Sequence, residues 1–224
     1  MTGYKLENPD GTRIDFNDIS IESLGCHLLF GDVDNLSMKE AASFILKSNI
    51  LARDTEDLTL FLNTAGGHCY DGFALIDVMQ SSQLAVRTVG LGNIMSMGVL
   101  ILAAGAKGKR IMTRNTQVMA HQHSGGSSAK YHELVAAHAA EIYLHNQMLE
   151  HFLTHTKMTE RQIDELVLGK SDQWLTPAEC KKLGIVDHVV DELPTRVQPK
   201  PSRPRASGSS DQSPTKSRRI AKRS

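Results

Sequence analysis

Long apolar runs are missing from this 224-residue chain: the most extended, VLILAAGA at positions 99–106, is too short to span a bilayer. Cysteine is scarce. Cys26, Cys69 and Cys180 show no CxxC spacing and cannot all pair, which fits a reducing compartment where such cysteines are small packing residues. The N-terminus, MTGYKLENPDGTRIDF, lacks the basic-then-apolar pattern of a secretory signal, so a cytoplasmic location is expected. No P-loop is present, so the chain is not expected to use ATP itself. An HExxH pair is also missing, and no metal or other cofactor is expected. What remains is a chain with 40% hydrophobic residues, long enough to bury a sizeable core as one ordinary domain.

The formal net charge of zero hides a split. From Pro194 onward there are nine Lys/Arg against one Asp, so the preceding 193 residues carry 16 basic and 24 acidic side chains. Five of the seven prolines lie in that last segment, among many serines. Such a composition cannot bury enough apolar surface to offset its ordering entropy, so residues 194–224 are expected to be a disordered basic tail. It reads either as a solubilising or self-docking segment or as a tether for an acidic partner or nucleic acid.

The preceding residues alternate strand and helix signals. Ser37-Met38-Lys39-Glu40 reads as a capping box opening a helix to about Ala52. Asp57 to Asn63 (DLTLFLN) reads as a buried strand ending at Ala65-Gly66-Gly67, with YDGFALIDVMQSS as an amphipathic helix and LAVRTVGL as the next strand. A helix is expected from about Met97 to Ala104, ended by GAKGKR with its turn glycines and dipole-matching cations. Short strands follow around Ile111 and Val118, then a glycine-rich loop, SGGSS. A long helix spans roughly Lys130 to His155, with Val135, Ile142 and Leu149 at heptad spacing on one face. Thr159-Glu160-Arg161-Gln162 and Thr176-Pro177-Ala178-Glu179 are two further capping boxes, and IVDHVV is a closing strand. Strands alternating with crossover helices predict an α/β fold with a largely parallel sheet.

Three residues at element boundaries carry the chemistry. Ser96 sits in GNIMSMG, His121 ends the apolar run VMAHQH, and Asp172 lies in SDQWLTPAEC just before a helix start. A serine hydroxyl is a weak nucleophile until an imidazole takes its proton, and that imidazole needs an orienting acid. Gly66 and Gly67, directly after a buried strand, let the backbone approach a ligand and aim an amide at a developing oxyanion. Met97, at the mouth of a helix, offers a second amide. Taken singly, each of these residues reads equally as a turn or a helix cap; together they point to acyl-bond cleavage.

The order of motifs resembles the Clp protease proteolytic subunit family from about Leu28 to Val190. LFLNTAGGHCYDG is similar to that family's strand and glycine-rich loop, and GNIMSMGVLILAAGAKGKR to its nucleophile helix and following turn. VMAHQH is similar to its histidine segment, and SDQWLTPAECKKLGIVD to its aspartate segment. The resemblance implies a Clp protease/crotonase-like fold with a protruding long helix, over residues 28–193, after a divergent N-terminal segment, 1–27. It further implies Ser96 as nucleophile, His121 as general base, Asp172 as orienting acid, and Gly67 and Met97 as oxyanion donors. The implied function is the peptidase subunit of a self-compartmentalising serine endopeptidase. By the same resemblance two heptameric rings enclose the sites, a separate AAA+ ATPase unfoldase feeds polypeptide substrates, and ring packing helps align the triad.

Ala65 and His123 stand where the family pattern has proline. His123 reads as a solvated loop side chain, or as one that competes with His121 or assists substrate binding. The long helix carries His132, His138, His145, His151 and His155. These read as a solvated or packed face, less readily as a metal clamp. In the resembled family this helix joins the two rings, which suggests histidine-dependent assembly sensitive to pH near 6. Three other readings stay open: a stand-alone viral capsid-maturation-type protease, a catalytically silent ring scaffold, and an acyl-CoA enzyme of the crotonase fold.

Overall fold

A computed structural model of the chain describes residues 19–51, 57–126 and 128–193. The expected N-terminal segment lies largely outside the described residues, and the expected disordered tail lies wholly outside them.

A short 3-10 turn, Glu22–Leu24, leads into β1 (Cys26–Phe30), α1 (Asn35–Ile50) and β2 (Asp57–Thr64). Next come α2 (Cys69–Ser81), β3 (Ala85–Met95), α3 (Met97–Ala103), β4 (Arg110–Thr113) and β5 (Gln117–Ala120). The chain continues with α4 (Tyr131–His155), α5 (Glu160–Leu166), β6 (Gln173–Leu175), α6 (Pro177–Leu183) and β7 (His188–Val190). Strands β1-β2-β3-β4-β7 form a parallel sheet; β5 pairs with β3 in parallel and β6 with β5 in antiparallel. The α/β fold with a largely parallel sheet read from the sequence is the one observed.

The helix ends follow capping chemistry. Thr159 and Thr176 each accept from the backbone of the residue three ahead, and Gln162 and Glu179 return the bond, as the sequence predicts. The first helix begins earlier than predicted. Asp34 is its cap, accepting from the Ser37 N–H at 2.8 Å, while the Ser37 hydroxyl answers the Asp34 N–H. Ser37 is thus the answering residue of the capping box and Asp34 the cap.

Strand β3 also exceeds its sequence reading, which ended it at Leu91. It runs on to Met95 through Gly92, whose φ of +61° a glycine adopts without strain. Its first half pairs with β4 (Thr88–Gly90) and its last residues, Asn93–Met95, with β5. The sheet therefore forks along β3, and the fork positions the functional site. The core packs Leu58, Leu60 and Leu62 of β2 against Ile45 of α1, Leu75 and Ile76 of α2, and all of α3.

The cations of the GAKGKR turn act across the fold. Lys109 Nζ binds both Asp57 oxygens at 2.6 and 2.7 Å, and Arg87 adds a bond to the same carboxylate. Arg110, only 4% exposed, grips Asp187 with Nε and Nη2 and donates to the carbonyls of Ala103 and His155. Their expected service to the helix dipole shrinks to the single Ala103 contact, because the fixed carboxylates at the start of β2 and just before β7 are the stronger partners.

Helix α4 buries Leu144, Met148, His151 and Phe152. The heptad positions Val135 and Ile142 are instead 54% and 49% exposed, beside exposed Tyr131 and Tyr143. Its five histidines are not equivalent. His132 and His138 are exposed, whereas His151 is buried, stacks on His155 at 4.3 Å and bonds the Leu100 carbonyl of α3 at 3.0 Å. Burial, then the neighbouring His155, pushes the His151 imidazole down to about 4.

An unfolded chain protonates this imidazole near 6.5 and the folded one only near 4, so the unfolded state takes up the proton first. Stability is therefore expected to fall as pH drops through that window, by roughly 3 kcal/mol from this group. Melting midpoints at pH 7 and pH 4.5 check it. His151→Gln should show the smaller drop; equal drops in both proteins would contradict the assignment.

Candidate active site

The fork in the sheet brings the sequence-predicted residues to one edge. Ser96 follows the last residue of β3 and precedes α3, its N–H donating to the Met119 carbonyl of β5 at 2.8 Å. His121 follows the last residue of β5 and is half-buried, and Asp172 immediately precedes β6 and is exposed. Strands β5 and β6 pair as Val118↔Leu175, Met119↔Trp174 and Ala120↔Gln173. One further step of that antiparallel register sets His121 opposite Asp172, at the spacing where facing side chains interact. The sequence reading put Asp172 directly before a helix; the three residues of β6 intervene, and they give the aspartate its place. Among the described residues no hydrogen bond or ion pair joins Ser96, His121 and Asp172.

Ser96 has φ +51° and ψ −123°, the one non-glycine residue with positive φ among those described. This conformation costs on the order of 1–3 kcal/mol and persists only where the surroundings enforce it. A sharp strand-to-helix turn of this kind lifts a serine hydroxyl off the sheet edge. Although Ser96 occupies the cap position of α3, its side chain makes no capping bond, so the hydroxyl is not committed to the helix.

The glycine pair stands against that serine. A Cβ on Gly66 (φ +91°) would lie 2.7 Å from Ser96 Cβ and 3.1 Å from the Met97 nitrogen, so no side chain fits there. Gly67 (φ +148°) bridges Val33, and the two bonds of the bridge fall on its neighbours: Val33 N–H to Gly66 O, and His68 N–H to Val33 O. A parallel bridge of this form turns the Gly67 N–H away from Val33. The Met97 N–H, in the first turn of α3, has no intrahelical acceptor. Two amides beside a lifted hydroxyl suit the stabilisation of an oxyanion.

His123 departs from its sequence reading as a solvated loop residue. Its side chain is 13% exposed, its Nε2 lies 2.7 Å from Glu141 Oε2 of α4, and its ring faces His145 with centroids 6.2 Å apart. Sequence alone had no signal for this contact, because the partner lies on a helix whose course over the loop is a tertiary feature. All three cysteines are free, and burial raises the thiol of Cys180 to about 12. Among the described residues no group of three or more His, Cys, Asp or Glu side chains is placed to hold a metal ion, and no helix is long and apolar enough to cross a membrane.

The layered sheet with this strand-to-helix serine turn is the frame of a serine hydrolase, and comparison with known proteins narrows the class. Residues 32–193 match the Clp protease family model. The ATP-dependent Clp protease proteolytic subunit 2 of Thermobifida fusca is 36% identical over 144 residues, covering 64% of this chain and 70% of that protein. Its namesake in Nocardia farcinica is 35% identical over 168 residues, covering 70% and 75%, and that of Rhodococcus jostii 36% over 160 residues, covering 70% and 78%. The chain belongs to the Clp protease family. It is accordingly a serine endopeptidase of that family, for which oligomeric rings and association with Clp ATPases are implied.

Proposed function

We propose that Ser96, His121 and Asp172 are the catalytic triad of this peptidase and that the Gly67 and Met97 amides form its oxyanion hole. Ser96 Oγ bonds to the peptide carbonyl carbon while His121 takes the hydroxyl proton and passes it to the departing amine; water, activated by the same imidazole, then releases the acyl group. Asp172 holds the imidazole in the productive tautomer. The observation that carries the reading is the strained Ser96 turn set against the glycine pair, with His121 and Asp172 facing one another in register.

In this reading residues 28–193 form the protease domain, 1–27 an N-terminal segment divergent from the family, and 194–224 a basic tail that binds an acidic partner or nucleic acid. Two heptameric rings enclose the sites in the cytoplasm, and a separate AAA+ unfoldase delivers long chains. The exposed Tyr131, Val135 and Ile142 of α4 support ring packing, since apolar side chains in one stripe gain by being covered. Unlinked triad residues in a single protomer fit a site whose last alignment step comes with assembly.

Assembled protein is expected to cleave a short fluorogenic peptide without ATP, to spare a folded protein, and to lose peptide cleavage in His121→Ala. Peptide cleavage that survives His121→Ala would remove His121 from the mechanism. Equal digestion of folded protein would refute enclosure.

A further inference from the structure

Residues 121–126, which leave the end of β5 at His121, have no regular structure and end in Ser124-Gly125-Gly126. Among the described residues they have two polar tethers. The Gln122 N–H donates to the Gly169 carbonyl at 3.2 Å, on the approach to β6, and His123 Nε2 meets Glu141 Oε2 at 2.7 Å. Glu141 is also packed against the loop at Gly125, where a Cβ would come within 2.4 Å of its carboxylate. Its charge reaches the start of α2 as well: after burial, Glu141 is what raises the thiol of Cys69, the first residue after the Gly66-Gly67-His68 turn. One carboxylate on α4 thus adjoins both the segment carrying His121 and the helix that follows the glycine pair.

We propose that His123 is a positioning residue: its clasp with Glu141 restrains the segment that follows β5, so that in the assembled ring the His121 imidazole reaches the Ser96 hydroxyl. This rests on the triad reading above. The groups facing the clasp are Glu141 and His145 of α4, Cys69 of α2, and His121 two residues before; His138, one turn earlier on α4, is exposed. His123 Nδ1 is buried without a partner, which leaves Nε2 as the nitrogen through which the ring is held.

The test is the rate at which a fluorophosphonate labels Ser96 in ring-assembled full-length protein, together with kcat and KM for a short peptide. His123→Ala is expected to lower the labelling rate about tenfold, through kcat with KM little changed. Glu141→Ala is expected to lower the labelling rate as His123→Ala does, while Glu141→Gln, which keeps an acceptor, restores most of it, with the melting midpoint as control. Labelling rates within about twofold of wild type in both His123→Ala and Glu141→Ala, or no rescue by Glu141→Gln, would overturn the clasp. Should His123→Ala fail to assemble, the Glu141→Gln comparison decides alone. A wild-type protein that is not labelled at Ser96 would sink the triad reading and the clasp with it, whereas normal labelling in both variants sinks only the clasp.

Discussion

Ser96→Ala is expected to lower kcat for a short peptide by about 10⁴- to 10⁶-fold, the loss seen when a triad nucleophile is removed and only binding and the oxyanion hole remain. The expectation is specific because the substitution disturbs little else. Alanine carries the same strain at φ +51° as serine, and the Ser96 side chain makes no capping bond to α3. The melting midpoint and ring assembly should therefore match wild type. Peptide hydrolysis retained at more than about a tenth of the wild-type rate would show that another group attacks the carbonyl.

The second large effect concerns stability. Arg110→Ala removes the cation paired with Asp187, frees the carbonyls of Ala103 and His155, and leaves a gap between β4, β7 and the end of α4. Arg110 is buried and Asp187 half-buried, so deleting one member costs up to about 3–5 kcal/mol, the loss for a fully buried pair. In a domain of this size that lowers the melting midpoint by about 10 °C. Burial alone would push the Asp187 carboxyl up; the hydrogen bonds and charge of Arg110, with the Gly108 N–H, outweigh it and hold the group below its ordinary range. Its contribution is thus present at neutral pH and is lost as pH falls below the usual carboxylate range. Replacing both partners, as in Arg110→Met with Asp187→Leu, should cost less than Arg110→Ala alone, because no charge is then stranded. A single variant that melts with wild type would contradict this account of the turn.

Much of this was legible in the residues because the signals were local. Thr176-Pro177-Ala178-Glu179 states a helix start within four positions, and DLTLFLN followed by two glycines states a buried strand and a close approach. Ser96, His121, Asp172, Gly67 and Met97 stood out for the same reason: each sits at a boundary between an apolar run and a turn. What escaped were features set by pairing. The strand β6 is three residues long, too short to show periodicity, yet its register with β5 is what faces Asp172 towards His121. Strand β1 alternates exposed Leu28 and Phe30 with buried Leu29, a pattern whose meaning depends on lying at the sheet edge beside β2. The histidines of α4 looked alike in sequence; packing against α3 made His151 a neutral core residue and left His132 in solvent.

The most direct test of the central claim is fluorophosphonate labelling of the ring-assembled protein, with the modified residue located by peptide mapping. The account predicts one phosphonylated residue, Ser96, with labelling lost in His121→Ala. A ring-assembled sample that takes up no label, or takes it up on a residue other than Ser96, would contradict it.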